Sequence, residues 1–182
     1  LGAEVAFADV GPSSVLIDPD SVARLCDAIH RNGYRVAAIT AVHLAGEACD
    51  MDALQVIATE YGAALIEDAA HAFPAWLGER AVGTLGTVAV FSFYANKTIT
   101  TGEGGMVVTD HEGYAHRMAI MRSHGIDRQA WHRYTEASTN RLSEVPHWYY
   151  EVVAPGFKYN LPDTAAAIGR VQLRRAEALR DA

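Results

Sequence analysis

Apolar runs of about five residues alternate with longer stretches whose apolar residues recur at helical spacing, and this alternation constrains the fold more than any other feature of the sequence. Short apolar runs with little polar interruption suit strands buried on both faces, and the helical stretches between them supply the crossovers that parallel neighbours need. The predicted class is therefore α/β, a mostly parallel sheet with helices on both faces.

The individual elements follow from local signals. Val5 to Asp9 reads as a first strand. Asp18 and Pro19 offer an N-cap and a first-turn proline for a helix through about Arg31, which Asn32 and Gly33 close. Arg35 to Val42 is the next strand. Asp50 caps a helix from Met51 to Tyr61, in which Leu54, Ile57, Ala58 and Tyr61 share a face, and Gly62 ends it. Ala63 to Ile66, Val88 to Phe93 and Gly105 to Thr109 read as further strands, with Asp110 capping a helix that reaches about Ser123. Gly125 to Pro155 has no sustained period and is aromatic, with Trp131, Trp148, Tyr149 and Tyr150, so it is expected to be a long and functional excursion. Pro162 and Asp163 open the last helix.

Composition bounds the function. A chain of 182 residues, 50% hydrophobic, is expected to form one domain over residues 1–182. Its net charge of −7, with no basic stripe, argues against a nucleic-acid partner. No apolar run approaches the roughly 20 residues of a membrane-spanning helix. Cys26 and Cys49 lack metal-type spacing and fit a reduced cytoplasmic setting, and the eight His residues are too scattered for a metal site. Leu1 to Phe7 looks like entry into a strand already in progress and Arg180 to Ala182 lies within a helical pattern. Both ends are expected to be cut from something longer.

Ligands of open parallel sheets bind beyond the carboxyl ends of the strands, which directs attention to Asp68 and to the segment after Val88 to Phe93. Asp68 is either a turn cap or a carboxylate facing the crevice. Lys97 follows an apolar strand and precedes hydroxyls and the glycine-rich Thr101-Gly102-Glu103-Gly104-Gly105. A lysine held away from water there is a nucleophile able to form an imine with an aldehyde. No G-x-G-x-x-G follows a first strand, so a nicotinamide-binding fold has little support.

Three separated motifs carry a resemblance. Glu67-Asp68-Ala69-Ala70-His71-Ala72, then Phe91-Ser92-Phe93 with Lys97 and the glycine-rich turn, then Gly156-Phe157-Lys158-Tyr159-Asn160-Leu161 resemble the DegT/DnrJ/EryC1/StrS sugar aminotransferases. The resemblance implies the large cofactor-binding domain of fold type I pyridoxal-phosphate enzymes, present in part. It implies Lys97 as the Schiff-base lysine and proton shuttle, and Asp68 as the partner of the pyridinium nitrogen. It also implies His71 at the cofactor ring, Ser92 on the phosphate, and Asn160 reaching the phosphate of a neighbouring subunit, hence a homodimer with shared sites.

The implied reaction moves an amino group from glutamate or glutamine to a nucleotide-linked keto-sugar in two half-reactions through a pyridoxamine intermediate. The wording from Pro155 to Leu161 is similar to the branch that makes UDP-4-amino-4-deoxy-L-arabinose. Members with His in place of the lysine perform other chemistry, which Lys97 excludes here. Two other readings fit the same residues: another fold type I enzyme such as a lyase or decarboxylase, and a non-catalytic dimeric sensor or assembly module. His43, Arg122 and His124 are weaker candidates for lining the site.

Overall fold

The computed structural model describes residues 2–127 and 150–182, which divide into two compact units. The first comprises residues up to Asp110 together with Leu161–Ala182, and the second is His111–Asn160.

In the first unit, helix α1 (Pro19–Arg31) begins where Asp18 accepts the backbone N–H groups of Asp20 and Ser21, and it buries Val22 and Cys26, one turn apart. Strand β1 (Ala38–Val42) follows, and then a single tight turn, Leu44–Gly46, in which Ala45 takes φ 56°. Helix α2 (Met51–Tyr61) has Asp50 as N-cap, bonded to the Ala53 amide, and Gly62 as a left-handed C-cap at φ 63°. It buries Met51, Leu54, Ile57 and Ala58 along one stripe, as its spacing predicts.

Strands β2 (Ala64–Asp68), β5 (Val88–Ser92) and β6 (Gly105–Val108) join β1 in a sheet of order β1-β2-β5-β6. β1, β2 and β5 run parallel and β6 is antiparallel to β5. Between β2 and β5 lies a small hairpin of β3 (Trp76–Leu77) and β4 (Arg80–Ala81). Helices α4 (Asp163–Leu173) and α5 (Ala176–Arg180) complete the unit. The α/β class with a mostly parallel sheet is thus as expected.

Side chains alternate across the sheet. Ile39, Ala41, Leu65, Glu67, Ala89 and Phe91 are buried on one face, whereas Val42 and Val90 on the other are 45% and 40% exposed. Leu54 and Leu65 are fully buried and anchor one core with α1 and α2, each stabilising the fold by roughly 1.5–3 kcal/mol. A second core gathers Ala69, Ala72, Val82, Ala89 and Phe91, against which Phe73 and Phe93 pack.

In the second unit, α3 (Glu112–Met121) precedes an antiparallel pair, β7 (Ile126–Asp127) and β8 (Glu151–Val152). A Cβ on Gly125 would fall 1.8 Å from the Ala154 oxygen, so only glycine permits this close approach.

Three expectations need correction. Val5 to Asp9 is not a strand: Val5 and Phe7 are 78% and 90% exposed, and no strand among the described residues pairs with it. Only Val10 is bridged, to Ile17 across the turn that leads into α1. The cap of α3 is His111, not Asp110; its ring bonds the Tyr114 amide and stacks on the Tyr114 ring at 4.2 Å, moving the helix start by one residue. The supposed excursion holds β7 and β8 at its ends, while Trp131, Trp148 and Tyr149 lie outside the described residues.

Candidate active site

The segment after β5 is fixed by bonds that its own hydroxyls and amides make. The Phe93 amide donates to the Gly104 oxygen at 2.9 Å, and the Phe93 oxygen accepts from the Thr101 amide at 2.9 Å and from Thr100 Oγ1 at 3.1 Å. Thr101 is buried and its hydroxyl donates to the Glu103 oxygen at 2.7 Å. A Cβ on Gly104 would meet Thr101 Oγ1 at 2.4 Å, which explains a glycine there. From the far side, Gln172 of α4 accepts the Thr100 amide at 3.4 Å. The Lys97 amide donates to the Tyr94 oxygen at 3.1 Å, so the lysine starts from a closed turn.

This loop forms a wall of an open pocket of about 250 Å³. Lys97, Ser92, Asn96 and His71 bring polar groups to it, and Phe73 and Ala45 contribute apolar surface. Ser92 Oγ accepts the Tyr94 amide at 3.3 Å, which leaves the hydroxyl proton for a ligand. Lys97 is half-buried, and among the described residues its amine has no hydrogen-bond or ion-pair partner.

Asp68, the last residue of β2, is half-buried and does not line that pocket, although Ala70 and His71 do. Its Oδ1 accepts the Ala70 amide at 3.1 Å, so the turn-cap reading describes that oxygen. Asp68 is in register with Val42 and Val90 and shares their face of the sheet, as does Ser92 two residues beyond Val90. Asn160 belongs to the second unit, where Lys158 Nζ bonds its Oδ1. Arg122 and His124 belong there too; the His124 amide donates to the Phe157 oxygen at 2.7 Å.

One further arrangement was not read from the sequence. Glu67 and His43 are both fully buried, with Glu67 Oε2 at 3.2 Å from His43 Nε2. Glu67 Oε1 accepts the Leu85 and Gly86 amides at 2.8 and 2.7 Å, and Oε2 also accepts the Gly83 amide at 2.8 Å. His43 Nδ1 accepts the Cys49 amide at 3.1 Å, which makes Nε2 the protonated nitrogen that donates to Glu67. Burial alone pushes the Glu67 carboxyl up, but the bonds from His43, Gly83, Gly86 and Leu85 outweigh it and hold its pKa below the ordinary value. His43 is thus a packed core group and does not line the pocket. Asn96, Phe73 and Ala45 were also missed; the positive φ of Ala45 beside Gly46 is a feature that only the backbone reveals.

The pocket offers an amine, a free hydroxyl proton, an imidazole and an aromatic wall beside backbone rich in glycine. That set suits an aromatic aldehyde carrying a phosphate: the amine could bond a carbonyl carbon, the hydroxyl an anionic oxygen, and the ring of Phe73 could meet apolar surface. Among the described residues, no group of His, Cys, Asp and Glu has the arrangement of a metal site.

Comparison with known proteins supports the same direction. A family model described as the DegT/DnrJ/EryC1/StrS aminotransferase family matches residues 1–182. The spore coat polysaccharide biosynthesis protein SpsC of Bacillus subtilis is 39% identical over 176 residues, 97% of this chain and 42% of that protein. The structure of an aminotransferase from Psychrobacter cryohalolentis superposes with a TM-score of 0.76 at 32% identity, covering 93% of this chain and 40% of that one. DesI, solved in the presence of its TDP-sugar product, gives a TM-score of 0.72 at 31% identity, covering 94% of this chain and 37% of that one. The chain therefore spans about two fifths of the length of the relatives it matches.

Proposed function

This chain belongs to the DegT/DnrJ/EryC1/StrS aminotransferase family, and from that premise we propose that the full-length protein is a pyridoxal-phosphate-dependent sugar aminotransferase. Residues 1–182 form part of its large cofactor-binding domain. Its amino donor is glutamate or glutamine and its acceptor a nucleotide-linked keto-sugar, of the UDP-4-amino-4-deoxy-L-arabinose type or a relative of it. The protein works in the cytoplasm as a homodimer with shared sites.

The observation that carries the reading is the grouping of Lys97, Ser92 and His71 on one pocket beyond the carboxyl end of β5. Bound pyridoxal phosphate supplies an electron-withdrawing ring that accepts the electrons left when a substrate C–H bond loses its proton. Lys97 Nζ would hold the cofactor, and the same nitrogen would take a proton from the substrate carbon and return it. Asp68, whose Oδ1 accepts the Ala70 amide, would offer its second oxygen to the ring nitrogen and stabilise the protonated form. Ser92 Oγ would donate its proton to the phosphate, His71 would contact the cofactor ring, and Asn160 would serve the phosphate of the neighbouring subunit.

SpsC is named a spore coat polysaccharide biosynthesis protein and the product of DesI is a TDP-sugar, and these two relatives support a nucleotide-linked sugar as acceptor. The test is to add pyridoxal phosphate to the full-length protein, reduce with borohydride and map the modified peptide, with Lys97→Ala as control. Phosphopyridoxyl label confined to Lys97 is expected, followed by amino transfer to keto-sugar nucleotides from glutamate or glutamine. Label absent from the wild-type protein defeats the reading.

A further inference from the structure

The buried carboxylate beside Asp68 has no part in the chemistry above, yet its bonds reach two segments that flank Asp68. Glu67 accepts three amides of residues 83–86, the segment leading into β5 and so to Ser92 and Lys97. The space there is tight: a Cβ on Gly86 would lie 2.7 Å from the Leu65 oxygen and 3.2 Å from Glu67 Cγ.

Its fourth partner, His43, closes β1 and opens the Leu44–Gly46 turn, from which Ala45 lines the pocket. The His43 backbone is tied to β2: its amide donates to the Asp68 backbone carbonyl oxygen at 3.0 Å. On the opposite side of the strand, the Ala69 amide donates to the Val90 oxygen at 2.9 Å. The Cys49 amide on Nδ1 and Cys49 Sγ on the Val42 oxygen, at 3.1 and 3.2 Å, hold the imidazole so that Nε2 faces Glu67.

We propose that Glu67 and His43 are positioning residues of the cofactor site. The buried carboxylate and imidazole together fix the backbone at Asp68 and the Ala45 wall of the pocket, and thereby set how strongly Asp68 engages the cofactor ring. The inference rests on the pyridoxal-phosphate reading given above. It assigns a role to the carboxylate that lies on the opposite face of β2 from Asp68 and does not line the pocket. A purely packing role predicts that loss of the His43 donor lowers stability and leaves the bound cofactor unchanged. A positioning role predicts altered cofactor affinity and an altered cofactor spectrum in a protein that is still folded.

The test compares full-length wild type with His43→Leu and His43→Gln, the latter retaining an N–H for Glu67. Three readouts are taken: near-ultraviolet circular dichroism for the fold, the dissociation constant of pyridoxal phosphate, and the pH midpoint of its visible absorption band. His43→Leu is expected to weaken cofactor binding at least about tenfold and to move the midpoint. His43→Gln is expected to remain within about threefold of wild type, with the midpoint little moved.

If His43→Leu does not fold, Glu67→Asp, which keeps the charge and withdraws it by one methylene, takes its place with the same expected loss. A folded His43→Leu with wild-type affinity and midpoint overturns the proposal. Equal impairment in His43→Leu and His43→Gln overturns it as well, as does failure of both His43→Leu and Glu67→Asp to fold, which assigns the pair to structure alone. Wild-type protein that binds no pyridoxal phosphate defeats both this inference and the reading beneath it, an outcome distinct from normal binding left unchanged by substitution.

Discussion

Replacing Glu67 by Gln keeps the outline of the side chain and converts one acceptor oxygen into an N–H2 group. In one orientation that group faces the Leu85 and Gly86 amides, and in the other it faces the Gly83 amide and His43 Nε2. Either way two buried donors lose their acceptor, at about 1–3 kcal/mol each. A shift of the His43 proton to Nδ1 brings no relief, because Nδ1 already accepts the Cys49 amide at 3.1 Å. The two surviving bonds also lose the assistance of a formal charge. The sum for the two orphaned donors is about 2–6 kcal/mol.

For a domain of this size that corresponds to a fall in Tm of roughly 4–24 °C. The assay is urea unfolding at several pH values, read by circular dichroism. Partners in the fold lower the pKa of Glu67, so its contribution is fully present above the unfolded-state value of 4.5 and is lost as pH falls through the folded-state value. The stability gap between wild type and Glu67→Gln is therefore expected to narrow as pH falls below 4.5. A gap under about 1 kcal/mol at neutral pH, or one that persists unchanged in acid, refutes the reasoning.

Four other substitutions probe separate links. Lys97→Ala is expected to abolish borohydride-fixed phosphopyridoxyl label while leaving the circular dichroism spectrum unchanged, since its amine makes no bond within the described residues. Asp50→Ala removes the cap from the Ala53 amide and is expected to cost about 1 kcal/mol in urea unfolding. Leu54→Ala empties a fully buried position on α2, and calorimetry is expected to show a loss of about 2–5 kcal/mol. Gly86→Ala drives a Cβ to 2.7 Å from the Leu65 oxygen, and a destabilisation of about 1–3 kcal/mol is expected in the same assay.

What the sequence discloses depends on how far each signal reaches. α2 runs from its Asp50 cap to its Gly62 stop as read, because caps and left-handed glycines act within a turn of chain. α1 follows the same logic from Asp18. Val5 to Asp9 carries the composition of a strand, but a strand exists only with a neighbour to share its hydrogen bonds, and local composition cannot supply one. The start of α3 lay between two capping residues in succession, and the stacking of His111 on Tyr114 is a contact that a residue-by-residue reading does not weigh.

The candidate site divides along the same line. Lys97, Ser92 and His71 come from two motifs, and the pocket gathers them because both motifs follow strands that are parallel neighbours. The pair Glu67 and Asp68 shows what was legible and left unread. Alternation puts Glu67 on the face of Leu65 and Asp68 on the face of Ile66, so a strand that buries Leu65 must also bury Glu67. A carboxylate buried on a core face needs partners for both oxygens, which predicts a nearby cation or a cluster of backbone donors. Only coordinates identify those as His43 and the amides of residues 83–86. The adjacent Asp68, on the more open face, has one oxygen bonded to Ala70 and the other available. Two neighbouring carboxylates thus separate by strand parity, one saturated within the core and one left on the side where chemistry can take place.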